Sequence, residues 1–258
     1  MFMEPRVYLI GSTAINWQAL EDYLLDKGYN DFNSEVATSE LSDVELLCVI
    51  YAKLCYNSFQ VGANPNITKT RSIADNFIHV LESGHHSILE HVAFNFIVTD
   101  CSRVFTHEMV RHRVGVAYSQ TSGRYCNLSN GFDIVSDGTL EYELGCEEVN
   151  SVKEFLEDKY SEWTNALGLG ERTFTEKKKL TSALRRWLVP PGVANELGMT
   201  LNLRELRHCI QMRTSRHAEW EIRCVFNQVF DLLGRNTRLI FHDAKIEEVD
   251  GYDEITFG

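Results

Sequence analysis

The sequence predicts an α+β fold in a single domain that mixes helices and strands. Three observations lead there. Segments of helical periodicity and segments rich in apolar and β-branched residues both occur, without the regular strand–helix–strand alternation of a doubly wound sheet. No linker divides the 258 residues, and four prolines and 16 glycines leave no room for long low-complexity tracts. Hydrophobic residues at 44% and charged residues at 24% give a chain of this length enough apolar material for a core.

The elements follow in order. Val7–Ile10 reads as a short strand. Ser39 or Ser42 can cap a helix running to Tyr56, with Glu45 three residues after Ser42 as in a capping box. Cys48 and Cys55 fall on one face of that helix and read as buried. Asn64-Pro65-Asn66 is a turn, and a second helix is expected over Thr68–Glu82, stopping at Gly84. Val92–Thr99 reads as a strand, and Ser102 starts a helix to Arg113. Val114–Tyr125 reads as an ordered loop and Phe132–Val135 as a strand. Acidic amphipathic helices follow over Leu144–Leu167 and Thr175–Leu188, the second ended by Pro190-Pro191-Gly192. Met199–Leu203 is a strand, and Arg204–Arg213 and Ala218–Leu233 are helices.

Charge narrows the function. The net charge is −12, the wrong sign for a protein that holds duplex DNA by its backbone. Acid gathers in Asp137–Asp158 and Glu247–Glu254, whereas arginine gathers in Arg111–Arg124, Arg185–Arg186 and Arg204–Arg223. Local arginine clusters on an acidic chain suit a small anionic ligand better than a polymer; for any single arginine a surface ion pair is the simpler account. The seven cysteines lack C-x-x-C spacing. No signal peptide and no membrane-spanning apolar run is recognisable, so reduced thiols, a cytoplasmic location and no membrane partner are expected.

Three clusters carry chemistry. Arg111-His112-Arg113 is followed by Ser119-Gln120-Thr121-Ser122-Gly123-Arg124-Tyr125. Arginine forks bind phosphate oxygens in pairs, and hydroxyls with the backbone N–H groups around a glycine can complete a nest. Cations favoured at a helix C-terminus would explain Arg111 and Arg113, but not the Ser-Gly-Arg-Tyr that follows. Gly84-His85-His86-Ser87-Ile88-Leu89-Glu90-His91 invites a metal reading, yet carboxylates or thiolates at ligand spacing are missing. His107-Glu108 with His112 misses H-E-x-x-H by one residue, so no metal is expected. Asn202-Leu203-Arg204-Glu205-Leu206-Arg207-His208, Gln211-Met212-Arg213 and His217–Arg223 form the third cluster. Helical spacing places Arg204, His208 and Gln211 on one face, although an exposed salt-bridged helix would look the same.

In this order the clusters resemble the flavin-dependent thymidylate synthase family. The family signature, Arg-His-Arg followed by Ser and usually Arg-Tyr, stands here as Arg111-His112-Arg113 and Ser122-Gly123-Arg124-Tyr125. Gly84-His85 with Glu90-His91, Arg186 with Pro190, and Asn202-Leu203-Arg204 with Arg213 and Ala218–Arg223 match three further blocks. Four ordered blocks spanning Tyr51 to Arg223 are far more specific than one short motif. The sequence departs from the pattern in a spacer of eight residues before Ser122 where seven is usual, in His208 where many members have asparagine, and in Cys55 where serine is common. Residues 1–37 (an N-terminal extension) and 244–258 (an acidic tail) lie outside the resemblance.

The resemblance implies an α+β fold with an antiparallel-rich sheet and a homotetramer whose sites form where subunits meet. It implies FAD as cofactor, with NADPH and 5,10-methylenetetrahydrofolate as co-substrates and dUMP as the nucleotide converted to dTMP. FAD would contact His91, Arg111, His112, Arg113, Gln120, Asn202, Arg204 and His208. The nucleotide would contact Glu108, Arg111, Gln120, Thr121, Ser122, Gly123, Arg124, Arg186 and Arg213. Arg213 would be the catalytic group, stabilising enolate-like charge on the uracil ring. Ser122 is assigned to binding, because no histidine–carboxylate pair is evident to activate it. The lengthened spacer raises a rival outcome, a 5-hydroxymethylated product. A non-enzymatic nucleotide- or RNA-binding protein and a metal hydrolase are the readings from other classes. The acidic total and the lack of aromatic residues interleaved with basic ones count against nucleic acid.

Overall fold

The computed structural model describes residues 3–126, 128–235, 237 and 239–258. They fall into two compact units: Met1–Val7, Ile97–His112 and Tyr118–Met199 form the first, and Tyr8–Phe96, Arg113–Ala117 and Thr200–Gly258 the second.

Four strands, β1 (Arg6–Ser12), β2 (Ala93–Cys101), β3 (Val116–Gln120) and β4 (Asn195–Asn202), form one sheet in the order β1-β2-β4-β3. Its bonds identify it as antiparallel. The Thr13 N–H donates to the Ala93 carbonyl at 3.0 Å, whereas Gly11 packs against Asn95. The Thr200 hydroxyl donates to the Asn95 amide oxygen at 2.8 Å, whereas the Cys101 thiol reaches the Asn195 carbonyl at 3.4 Å. Along each pair one number rises as the other falls. Phe94, Phe96 and Val98 on β2, and Leu197, Met199 and Leu201 on β4, are buried at every second position.

The helices of the second unit are α1 (Trp17–Asp26), α2 (Asn30–Ala37), α3 (Asp43–Tyr56), α4 (Ile73–Glu82), α9 (Leu203–Arg213) and α10 (Trp220–Gly234). Those of the first are α5 (Arg103–Met109), α6 (Thr139–Leu144), α7 (Cys146–Ala166) and α8 (Phe174–Leu188). Leu24, Phe32, Leu46, Phe77, Leu206 and Phe226 are buried in the second unit. Tyr160, Leu169, Leu184 and Leu188 form a core cluster in the first. The expected box opens α3: Glu45 accepts from the Ser42 N–H at 2.9 Å and from its hydroxyl at 2.6 Å. Thr173 and Glu176 repeat the arrangement on α8, and Ser102 caps α5 by accepting from the Phe105 N–H.

Several elements differ from the sequence expectations, for identifiable reasons. The helix expected from Thr68 begins only at Ile73, where Ser72 supplies the cap and the Glu35 carboxylate accepts the Ile73 N–H. The helix after Ser102 stops at Met109, whose carbonyl accepts the Tyr118 hydroxyl at 2.8 Å. Arg111, His112 and Arg113 therefore follow the helix instead of belonging to it. Residues 116–120, expected as loop, are strand β3, held by the Asn202 N–H on the Gly115 carbonyl at 2.8 Å and the Thr121 N–H on the Glu196 carbonyl at 3.1 Å. Phe132–Val135 supplies only isolated bridges, Ile134 with Val193 and Val135 with Met3. The acidic helix expected over Leu144–Leu167 is α7, starting at Cys146, and Gly145, whose φ of 91° no helix tolerates, separates it from α6, a short helix that was not expected. Cys48 is buried as expected, but Cys55 is exposed. The acidic tail is a hairpin, β5 (Ala244–Val249) with β6 (Tyr252–Phe257), turning on Asp250-Gly251 at φ 54° and 77°. All seven cysteines are free, and no helix among the described residues is long and apolar enough to cross a membrane.

Candidate active site

The first unit contains a cationic cleft of about 390 Å³, lined by Arg103, Gln120, Thr121, Ser122, Gly123, Arg124, Ser182 and Arg185. No carboxylate lines it. The turn after β3 builds one wall: the Ser122 carbonyl accepts from the Tyr125 N–H at 3.1 Å, and the Ser122 hydroxyl accepts from the Arg124 N–H at 3.4 Å. Arg103 crosses the floor, its guanidinium donating to the Gln120 amide oxygen at 2.9 Å and to the Thr121 carbonyl at 3.0 Å. Gln120 in turn donates to the Thr106 hydroxyl at 2.6 Å, so its side chain holds Arg103 in place. Gly123 lets Arg185 approach closely: a Cβ there would stand 2.5 Å from Arg185 Nε, so that side chain would have to shift. Burial and, second, the charge of Arg103 lower the Arg185 pKa from its ordinary value. Guanidinium groups gathered without a counter-charge are the local signature of an anion site.

Beside the cleft, Tyr125 stacks on Phe174 at 6.0 Å and accepts a 2.7 Å hydrogen bond from Lys178 Nζ. That bond and the lysine charge lower the Tyr125 phenol pKa. Glu108 is half-buried on α5, Arg111 is exposed and His112 is half-buried in the following turn. Arg186 is exposed and lies outside the cleft lining, where its neighbour Arg185 stands.

The second unit contains a cavity of about 480 Å³. Asn202, Arg204, His208 and Gln211 line it, with His86, Glu90 and Val114. One helix positions most of these groups. Asn202 caps α9 by accepting the Glu205 N–H at 2.9 Å, and from that start residues 204, 208 and 211 share a face. Arg204 Nη1 donates to Glu90 Oε1 at 2.5 Å. Gly115 is the close approach: its φ is +67°, and a Cβ there would stand 2.1 Å from Asn202 Nδ2. The hairpin closes the far side with Phe257, over which the buried Arg207 guanidinium lies at 3.9 Å. Arg207 also ion-pairs with Asp243 at 2.6 Å.

Other candidates lie outside this lining. His91 stacks on Tyr51 with centroids 3.8 Å apart, Arg113 is exposed, and Arg213 is half-buried at the end of α9. Sequence reasoning missed Arg103, Arg185 and Ser182. Arg185 was visible as one of an adjacent pair; nothing short of the fold singles out Arg103.

The α+β fold with an antiparallel sheet thus carries a carboxylate-free cationic cleft and a polar cavity on a capped helix. The chain belongs to the thymidylate synthase complementing protein family, whose model matches residues 38–236. The expected family membership is borne out, and the match begins where the N-terminal extension was expected to end. A flavin-dependent thymidylate synthase of Pyrococcus abyssi is 32% identical over 165 residues, covering 62% of this chain and 62% of its own. Another, from Mycobacterium avium, is 29% identical over 211 residues, covering 79% and 81%. The chain thus spans about 62% of the length of the archaeal relative. The structure of thymidylate synthase X from Helicobacter pylori with FAD and dUMP has the same fold, with a TM-score of 0.56 at 20% identity over 94% of this chain and 98% of that one.

Proposed function

We propose that this protein is an FAD-dependent thymidylate synthase that methylates dUMP to dTMP, with 5,10-methylenetetrahydrofolate as carbon donor and NADPH as reductant. The observation that carries the reading is the cleft in which Ser122, Gly123 and Arg124 of the family signature meet Arg103 and Arg185 with no carboxylate among its lining residues. A nucleotide phosphate supplies the counter-charge those guanidiniums lack. Ser122, Gly123, Arg124 and the Thr121 backbone hold that phosphate, with Arg185 at the lining position; Arg186 is kept as a ligand contributed through assembly. Glu108, Arg111 and Gln120 place the sugar and base. Arg213 lies against the uracil edge, where a fixed guanidinium favours charge on N3 and O2 and so raises nucleophilicity at carbon 5.

The second cavity fits a flavin. Its donors, Asn202, Arg204 and His208, suit phosphate and ring oxygens, and Gly115, at φ +67°, lets the chain pass against the Asn202 side chain without displacing it. The family resemblance alone adds His91, Arg111, His112, Arg113 and Gln120 to the proposed flavin contacts. When bound, the flavin supplies the hydride that completes the methyl group. The protein orients the substrates and sets the charge around them.

A homotetramer is part of the proposal, supported by the apolar side chains of Leu140, Leu144, Val152 and Phe155 exposed on α6 and α7. A single working domain is also proposed, since each unit is assembled from several separate segments. A cytoplasmic location accords with seven free thiols. The hydroxymethylating alternative has one observation in its favour: Val114, in the lengthened spacer, is 72% exposed and lines the second cavity.

Mass spectrometry of the nucleotide after incubation with FAD, NADPH, methylenetetrahydrofolate and dUMP tests the reading. A product heavier than dUMP by one CH2 is expected. A hydroxymethyl product replaces the main reading with the alternative, and unchanged dUMP with reduced flavin bound overturns both.

A further inference from the structure

A second cationic cavity lies in the second unit, away from the residues assigned above. It measures about 280 Å³ and lies between α3, the chain from Ser58 to Arg71, and α4. Lys53, Lys69, Arg71, His79, Asn76 and Tyr56 are among the residues that line it, and no carboxylate is. In a chain with 37 acidic residues against 25 lysines and arginines, a cavity walled only by cationic and neutral groups runs against the overall bias.

Lys53 is the unusual member. It is 1% exposed, although lysine is rarely fully buried without a partner. Its ammonium donates to the Arg71 carbonyl at 3.2 Å and lies 5.0 Å from the Phe32 ring centroid. Among the described residues it forms no ion pair. Burial lowers its pKa, Arg71 adds to the lowering, and Glu35 opposes both. Glu35 meanwhile accepts the Ile73 N–H at 2.8 Å, which fixes that carboxylate at the start of α4. Two of the three ammonium donors of Lys53 thus have no acceptor among the described residues. The exposed side chains of Lys69 and Arg71 form no ion pair among the described residues either. One wall is stiffened by the Tyr56 hydroxyl, 2.9 Å from His85 Nδ1. A buried ammonium backed by two unneutralised rim cations is stabilised by an anion that enters the cavity.

We propose that this cavity binds a small oxyanion, carboxylate or phosphate, with Lys53 at its floor and Lys69 and Arg71 at its rim. The binding does not depend on the thymidylate synthase reading. The volume is at the small end of ligand cavities and suits one anionic group with a short stem better than a whole nucleotide.

The test is calorimetric titration of the full-length protein with inorganic phosphate and, separately, with glutarate. The same titrations are run on the double variant Lys69→Gln, Arg71→Gln, whose exposed positions spare the core, and on Lys53→Met. Phosphate also has the Arg103–Arg185 cleft available, so stoichiometry is the deciding quantity. We expect one fewer site per chain in the double variant, or an affinity for that site lower by about tenfold or more, since each charge-assisted contact contributes that much. Loss seen with phosphate alone assigns a phosphate ligand, and loss seen with glutarate alone assigns a carboxylate. Loss with both leaves a general oxyanion site. The same number of sites at the same affinity in the double variant and the unmodified protein, or no binding of either ion, overturns the proposal even if Lys53→Met fails to fold.

Discussion

Glu90 Oε1 and Arg204 Nη1 lie 2.5 Å apart, although the two residues are separated by 114 positions in the chain. The contact joins the Gly-His…Glu-His block to the Asn-Leu-Arg block, and both residues line the cavity assigned to flavin. Their side chains are 43% and 54% exposed, so the pair itself contributes only about 0–1 kcal/mol to stability. Arg204→Met is therefore expected to melt close to the unmodified protein but to bind FAD about tenfold more weakly, by loss of a charge-assisted contact. Flavin fluorescence titration beside a thermal melt separates the two effects. A large drop in melting temperature with unchanged flavin affinity would make the pair structural.

Arg185 and Arg186 are adjacent but unequal. Arg185 lines the cationic cleft, whereas Arg186 is exposed outside it. Arg185→Ala and Arg124→Ala are each expected to raise the dUMP requirement by about an order of magnitude, through the loss of one charge-assisted phosphate contact. Steady-state KM for dUMP is the measurement. If Arg186→Ala has the larger effect, the phosphate is reached by Arg186 through assembly.

Arg213→Ala is expected to retain flavin and lose turnover. Flavin absorbance of the purified variant, followed by single-turnover methylation, checks both halves. Near-normal turnover removes Arg213 from the uracil edge.

Gly115→Ala is expected to destabilise the protein by about 1–2 kcal/mol from the left-handed backbone alone, and further through displacement of Asn202. The new Cβ would stand 2.1 Å from the Asn202 amide nitrogen, and Asn202 caps α9. Loss of such a cap costs about 1 kcal/mol. Gly62→Ala is the control, since φ there is +86° but no atom lies within 4 Å. Denaturant melts should show Gly115→Ala as the worse of the two.

The hairpin carries a pH signature. Arg216 donates to Glu254 at 2.7 Å, and that bond holds the Glu254 carboxyl below its ordinary pKa. A carboxylate with a depressed folded pKa contributes stability that is present above its unfolded pKa. The contribution is lost as pH falls through the folded value. Hydrogen exchange of residues 244–257 should therefore accelerate on acidification below the ordinary carboxylate range, beyond the intrinsic change. Glu254→Gln should abolish that acceleration; an identical acid profile in the variant assigns the effect elsewhere.

Much of this architecture was legible in residue order. Ser42 with Glu45, Ser102 and the β-branched run of β2 announce themselves locally, because caps and period-two alternation are short-range physics. The Ser122-Gly123-Arg124 turn was equally visible as an anion loop. Strand β3 was not: Val116–Gln120 becomes a strand by pairing with β4, a partner some 80 positions away in a chain read locally as a serine-containing loop. Arg103 was missed for the same reason, since its place in the cleft depends on Gln120 and Thr121 folding back over α5. The hairpin was missed despite a usable signal, Asp250-Gly251 between two short runs, because its acidic composition outweighed its turn chemistry.

Helix α9 interleaves two obligations. Residues 204, 208 and 211 face the cavity, whereas Arg207 grips Asp243, the Ile240 carbonyl and Phe257, and Thr214 accepts the Ile255 N–H. The hairpin lies beyond the stretch that the family model matches, yet it is bolted to the turns that carry the family's own motif. The two sets are coupled through the helix: a substitution that repacks the tail against Arg207 acts one residue from His208, which lines the cavity. Tail and cavity are thereby yoked to one helix.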